Sequence, residues 1–143
     1  MEIACRAFVF YQDKLLLCKQ KVPQRDFWTL PGGSVDPGET LTSCTVREIS
    51  EEIGITIEID QMLFIRELIL PHRHRIEFYF SIKEQINEDI FNSISPHNEV
   101  EELGFFSLSD LTTITVKPEC IPSLIGEIND KTKVFPRYLG NVV

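Results

Sequence analysis

The chain is short of positive charge, of long apolar runs and of paired cysteines. Lys and Arg number 14 against 22 Asp and Glu, a formal charge of −8. That balance excludes the extended basic footprint a nucleic-acid polymer requires. No apolar stretch approaches the roughly 20 residues of a membrane-spanning helix. The start, Met1-Glu2-Ile3-Ala4-Cys5-Arg6, has no basic segment followed by an apolar one, so neither a signal peptide nor a membrane partner is expected. The four cysteines, Cys5, Cys18, Cys44 and Cys120, form no C-x-x-C pair. Zinc ligation and a disulfide framework are therefore not expected. Reduced cysteines at apolar-patterned positions act as small hydrophobes, which points to a cytoplasmic protein.

What is present is enough apolar material for one core. The chain has 143 residues, 43% of them apolar, and a single domain over 1–143 is expected. Residues 3–11 and 15–18 read as two strands joined by the polar turn Gln12-Asp13-Lys14. Phe27-Trp28-Thr29-Leu30 reads as a short strand ended by Pro31. The glycine-rich loop after it, with Gly32, Gly33, Pro37 and Gly38, is not expected to be regular structure. Thr40 is placed to cap a helix ending at Ile53, with Gly54 as its left-handed stop. Leu41, Cys44, Val46, Ile49 and Ile53 would form a buried stripe opposite the helix's acids.

Strand patterning resumes over 55–70, with a break near Asp60-Gln61, and 71–75 reads as a hairpin connection. In the return strand Ile76, Phe78, Phe80 and Ile82 alternate with Glu77, Tyr79 and Ser81, a period of two. Residues 87–98 read as a polar surface loop and 102–107 as another strand, followed by a helical turn at Asp110. Ile121, Leu124, Ile125 and Ile128 recur at helical spacing in a last helix. Strands on both sides of a central helix, with a second helix at the end, imply a mixed sheet between helices.

The informative stretch is 32–55. Glu48, Glu51 and Glu52 stand at i, i+3 and i+4, so a helix sets three carboxylates on one face, where like charges repel. A hard divalent cation bound through carboxylate oxygens relieves that crowding.

Gly33, five residues, Glu39, seven residues, Arg47-Glu48-Ile49, one residue, Glu51-Glu52, one residue, Gly54-Ile55 resembles the Nudix box, G-x5-E-x7-R-E-U-x-E-E-x-G-U with U bulky aliphatic, at each fixed position. The preceding Trp28-Thr29-Leu30-Pro31-Gly32 also resembles the family's lead-in. The resemblance implies an α/β fold, an α/β/α sandwich with a mixed β-sheet. It implies Mg²⁺- or Mn²⁺-dependent hydrolysis of a diphosphate linkage in a small nucleotide, with two or three ions present alongside substrate. Such a substrate is ADP-ribose, another nucleotide sugar, or a nucleoside triphosphate. Glu48, Glu51 and Glu52 would be metal ligands with Glu39 and a carbonyl of Gly32 or Gly33, and Arg47 would orient the carboxylates. The catalytic base would be a box carboxylate or Glu99, which stands six positions before Phe105.

Substrate contacts are sought in Arg6 on the first strand, in Trp28, and in Arg73 and Arg75 of the His72-Arg73-His74-Arg75 cluster. For each a plainer role competes: an edge arginine, a rim aromatic, an exposed turn. The alternative function is a catalytically silent nucleotide-binding sensor of the same family, whose usual sign, degenerate box carboxylates, is missing here. An isoprenyl diphosphate isomerase would need metal-binding histidines that this chain does not offer. Monomer and homodimer are both compatible with the resemblance.

Overall fold

The apolar runs near the N-terminus lack polar alternation because their strands are covered on both faces. In the computed structural model, which describes residues 1–143, β1 (Glu2–Phe8), β2 (Phe10–Tyr11) and β3 (Lys14–Gln20) follow one another. Phe8, Leu15 and Leu17 point into one apolar cluster, while Ala7, Val9 and Leu16 point into another. The first expected strand is divided at Val9: β1 belongs to one sheet and β2 to a second. Gln12 and Asp13, with φ of 49° and 61°, turn the chain between β2 and β3.

The remaining elements are β4 (Gly32–Ser34), α1 (Leu41–Ile53), β5 (Ile59–Leu70), β6 (Arg73–Ile82), α2 (Glu88–Ser93), β7 (Val100–Phe106), α3 (Ile121–Ile128) and β8 (Arg137–Asn141), with a 3-10 turn at Asp110–Thr113. Five strands form a mixed sheet in the order β4-β1-β6-β5-β8, and β2-β3-β7 form the smaller sheet. β1 runs parallel to β6 and antiparallel to β4. Ile49 and Ile53 of α1 close the cluster on one side. Ile121, Leu124 and Ile125 of α3 close the other, against Phe8, Phe64 and Tyr79. The layering is the expected α/β/α sandwich.

Several expectations are corrected. Residues 27–30 form no strand: Thr29 bridges Cys18 while Trp28 bridges Val116, so no continuous ladder develops. The strand lies one step later, in the glycine loop itself. Gly32 pairs with Arg6 and Gly33 with Cys5, and a Cβ on Gly32 would stand 2.0 Å from Cys5 O. Absence of a side chain is what lets this backbone close onto β1. Residues 87–98 contain α2, capped by the Asn87 side chain accepting from Ile90 N at 2.8 Å. Its Phe91 stacks on Tyr11 at 4.3 Å between ring centroids. The β5–β6 connection is shorter than 71–75, because Arg73 already pairs with Leu70. β8 had no legible signal; it is a short edge strand rich in polar groups.

Candidate active site

α1 begins where Thr40 Oγ1 accepts from Ser43 N at 3.1 Å and ends at Gly54, φ 78°. Its buried residues are Cys44, Thr45, Ile49, Glu52 and Ile53. Glu52 therefore does not lie opposite the buried stripe, as the sequence suggested, whereas Glu51 is exposed. Glu52, four residues after Glu48 and seven after Thr45, continues that stripe, since positions i, i+4 and i+7 share a face. Its exposure is only 6%.

The end of α1 fixes the loop between α2 and β7. The terminal carbonyls of a helix lack intrahelical donors. Here Asn98 Nδ2 donates to Glu51 O at 2.7 Å, His97 N to Glu52 O at 2.9 Å and Ser95 N to Ile53 O at 3.4 Å. Glu99 follows directly, and its own carbonyl accepts from Lys21 N.

These constraints create a cavity of about 300 Å³ lined by Glu48, Glu52, Glu99, Gly32, Gly33, Arg6 and Arg75, with Gln20 and Arg25 on its wall. Gly32 N donates to Glu52 Oε2 at 3.1 Å. A Cβ on Gly33 would sit 2.4 Å from the Glu48 carboxyl carbon, so glycine is required there for the carboxylate to pass. Burial pushes Glu52 up to about 7, against the opposing effects of the Gly32 N–H and Arg6. Burial also raises Glu48, although Arg47 pulls the other way. Two half-desolvated carboxylates side by side are destabilising by themselves.

Beside the cavity, Arg47 gathers the other acids. Its Nε donates to Glu39 Oε2 at 2.7 Å, Nη1 to Glu48 Oε1 at 2.8 Å and Glu51 Oε2 at 3.2 Å, and Nη2 to Ser34 O at 3.1 Å. The Arg47 guanidinium holds Glu39 down at about 2. Glu51 and Glu39 thus stand outside the cavity. No three His, Cys, Asp or Glu side chains converge on one point; Glu48 alone is shared between Arg47 and the cavity.

Of the substrate candidates, Arg6 (7% exposed) and Arg75 (9%) are buried at the cavity, so the reading of an exposed turn fails for Arg75. Arg73 pairs with Glu2 and faces a neighbouring recess. Trp28 is not in the cavity; it packs edge-on against Phe106 at 4.9 Å, beside the α3-side core. All four cysteines are free, and three are buried.

Sequence reasoning missed Glu77, Arg66, Arg25 and Lys117. Glu77, 1% exposed, receives Arg6 Nε at 3.0 Å, Arg66 Nε at 2.9 Å, Arg75 Nη1 at 3.2 Å and the Tyr79 hydroxyl at 2.8 Å. Burial alone would raise it, but the two guanidiniums of Arg6 and Arg66 prevail and hold it well below the usual carboxylate range. The available signal was that Arg75, Glu77 and Tyr79 share one strand face. Only the register of Arg66 opposite Glu77 gives that face its meaning.

The NUDIX domain pattern matches residues 2–124. The chain belongs to the Nudix family. It is accordingly a Nudix pyrophosphohydrolase, of a family that uses divalent metals such as Mg²⁺ or Mn²⁺. Human diphosphoinositol polyphosphate phosphohydrolase NUDT4B is 30% identical over 131 residues, 92% of this Nudix chain and 69% of that protein. The ADP-ribose pyrophosphatase of Methanocaldococcus jannaschii is 30% identical over 125 residues, covering 83% and 69%. Among solved structures, a MutT NUDIX hydrolase from Burkholderia pseudomallei superposes with TM-score 0.73 at 26% identity, over 90% of this chain and 98% of that one. A Nudix hydrolase from Nitrosomonas europaea reaches TM-score 0.75 at 23% identity, over 98% and 79%, a likeness of fold.

Proposed function

We propose that the Glu48–Glu52–Glu99 cavity is where this Nudix hydrolase cleaves the diphosphate linkage of a small nucleotide: ADP-ribose, another nucleotide sugar, or a nucleoside triphosphate. The observation that carries this reading is the meeting in one cavity of two helix carboxylates, a loop carboxylate and the guanidiniums of Arg6 and Arg75. The 30% identity to an ADP-ribose pyrophosphatase supports the first of these substrates. We take 1–143 to act as one domain, since β8, outside the matched residues, pairs with β5.

The donor set fits hard cations. Only oxygen ligands line the acidic side, burial raises Glu48 and Glu52 despite the opposing charges of Arg47 and Arg6, and the loop backbone lies against them. Glu48 and Glu52 would hold the ions, with the Gly32 or Gly33 carbonyl, and Glu51 and Glu39 would be released from Arg47 if further ligands are drawn in. A bound divalent ion supplies charge neutralisation for the phosphates and a water acidic enough to react near neutral pH.

The chain's residues do the rest. Arg6 and Arg75 orient the diphosphate by charge-assisted hydrogen bonds. Arg47 fixes Glu48 by sharing it with Glu39 and the Ser34 carbonyl. Glu99, in the cavity lining, or a box carboxylate takes the proton of the attacking water. The water oxygen bonds to phosphorus, the bridging P–O bond breaks, and two phosphate-bearing products leave.

The test is a panel of nucleoside triphosphates, ADP-sugars, dinucleoside polyphosphates, NADH and coenzyme A with Mg²⁺ or Mn²⁺. Glu52→Gln is expected to lower kcat on the best substrate at least a hundredfold, about 3 kcal/mol of barrier, with the fold intact. Wild-type turnover in that variant removes Glu52 from the metal site. In parallel, Glu99→Gln is expected to fall well beyond threefold if it is the base; a smaller change leaves it merely solvated.

A further inference from the structure

Next to the carboxylate cavity lies a recess of about 260 Å³ whose walls carry Arg6, Arg25, Arg66, Arg73, Arg75 and Lys117, with Glu77 as the acid among them. Arg6, Arg25 and Arg75 line both spaces, so the two are compartments of one cleft. In a chain of formal charge −8 this is a local inversion of sign.

The protein's own anions leave much of that charge unmatched. Glu77 takes one bond each from Arg6, Arg66 and Arg75. Glu2 takes Arg73 and the Nε of Arg75, and Glu119 takes Lys117 at 2.9 Å. Six cations therefore face three carboxylates. The remaining acceptors are two carbonyls, Leu30 O for Arg6 Nη1 and Val142 O for Arg66 Nη1.

The Nη2 groups of Arg6, Arg66 and Arg75 and the whole Arg25 guanidinium have no acceptor in the protein. None of them is sealed off, because the one buried side-chain polar atom without a partner is Glu84 Oε2, elsewhere. Free guanidinium N–H groups consequently face the cleft. Arg25 is held there by a turn in which its N–H donates to Val22 O at 2.9 Å. Partial burial and then the neighbouring Arg75, Arg73 and Arg6 charges lower its pKa.

A cluster of like charges with unused planar donors is unfavourable alone and becomes favourable around an anion with several acceptor oxygens. Phosphate meets both needs, charge and bidentate geometry. A nucleobase or a sugar hydroxyl supplies acceptors but no charge. We infer that this arginine recess binds a phosphate group of the substrate additional to the scissile diphosphate, so that a nucleotide carrying a third phosphate is held more tightly than its two-phosphate counterpart. This rests on the carboxylate cavity being the hydrolytic site, which fixes where the diphosphate lies. The additional phosphate is bound and released unchanged; no bond to it forms or breaks.

The test separates this inference from the hydrolytic reading by measuring binding in EDTA, where turnover is off. Coenzyme A and dephospho-coenzyme A form one pair, ATP and ADP another, each titrated calorimetrically into the full chain at low salt. The extra phosphate is expected to tighten Kd at least tenfold in one pair, and the Arg25→Gln/Lys117→Gln double variant to reduce that gain below threefold. A gain in the coenzyme A pair assigns a remote phosphomonoester, whereas a gain in the ATP pair assigns a contiguous third phosphate. No gain in either pair, no binding of any of the four, or a gain that survives the double variant overturns the inference. Circular dichroism and the melting curve verify that the variant, altered only at two partly exposed side chains, is folded. If the gain appears but the panel above shows no metal-dependent turnover, the hydrolytic reading alone has failed.

Discussion

Two adjacent glycines do different work, and substitution separates them. A methyl group on Gly32 would meet the Cys5 carbonyl at 2.0 Å, on backbone with φ of 150°, and neither strand can move aside without breaking the β1–β4 pairing. Gly32→Ala is expected to cost on the order of 3 kcal/mol or more in chemical denaturation. On Gly33 the obstacle is the mobile end of Glu48. Gly33→Ala should therefore melt close to wild type but lose at least tenfold in kcat with Mg²⁺, because the carboxylate is displaced. Equal stability losses would show that the loop responds as one rigid piece. Glu77 is the other residue whose environment decides its effect. Its folded-state pKa is depressed, so its contribution is present above the unfolded carboxylate value near 4.3 and is lost as pH falls below it. Glu77→Gln is expected to destabilise by roughly 3–5 kcal/mol at pH 7, the cost of leaving buried guanidiniums unmatched. The difference from wild type in urea midpoints should shrink steadily below about pH 4.5.

At the level of elements, α1 reads almost fully from sequence: its Thr40 cap, its Gly54 stop and its length all follow from local rules. Its rotational setting does not, since Glu52 lies with Cys44 and Ile49 rather than across from them. A hydrophobicity pattern treats an acid as a surface residue and so assigns the wrong face. The coupling of α1 to the Glu99 loop is equally hidden, because it consists of backbone carbonyls meeting Asn98, His97 and Ser95. Asn98, at φ 53°, tolerates the left-handed turn and caps the helix together. Asn98→Ala is expected to lose about 1–2 kcal/mol, and Asn98→Gly, which restores the backbone freedom, only about half of that. A thermal melt that ranks alanine at or above glycine would remove the backbone part of this account. The β4 strand carries the same lesson: composition marked residues 32–34 as irregular, yet lack of side chains is what lets that backbone pair with β1.

For the molecule as a whole, charge is distributed against its average. A chain with net −8 places six cations along one cleft, so an anionic substrate is repelled at long range and attracted at short range. Salt screens the partly exposed Arg25, Arg73 and Lys117 of the cleft more than the buried Arg6, Arg66 and Arg75. kcat/KM is expected to fall about tenfold between roughly 50 and 500 mM KCl at fixed free Mg²⁺, and a flat profile would mean that binding does not draw on the cluster. The central helix with strands on both sides of it, the last helix, the Nudix box and hence the reaction class were determined by the sequence, because local periodicity, caps and a fixed spacing of carboxylates are properties of neighbouring residues; β4, α2 and β8 were not. The placing of Glu99 and Glu52 on one cavity, the withdrawal of Glu51 to Arg47 and the gathering of Arg6, Arg66 and Arg75 around Glu77 were decided only by the tertiary structure. Those groups are brought together by strand register and by the capping of one helix end, and register depends on which faces of distant strands are buried together.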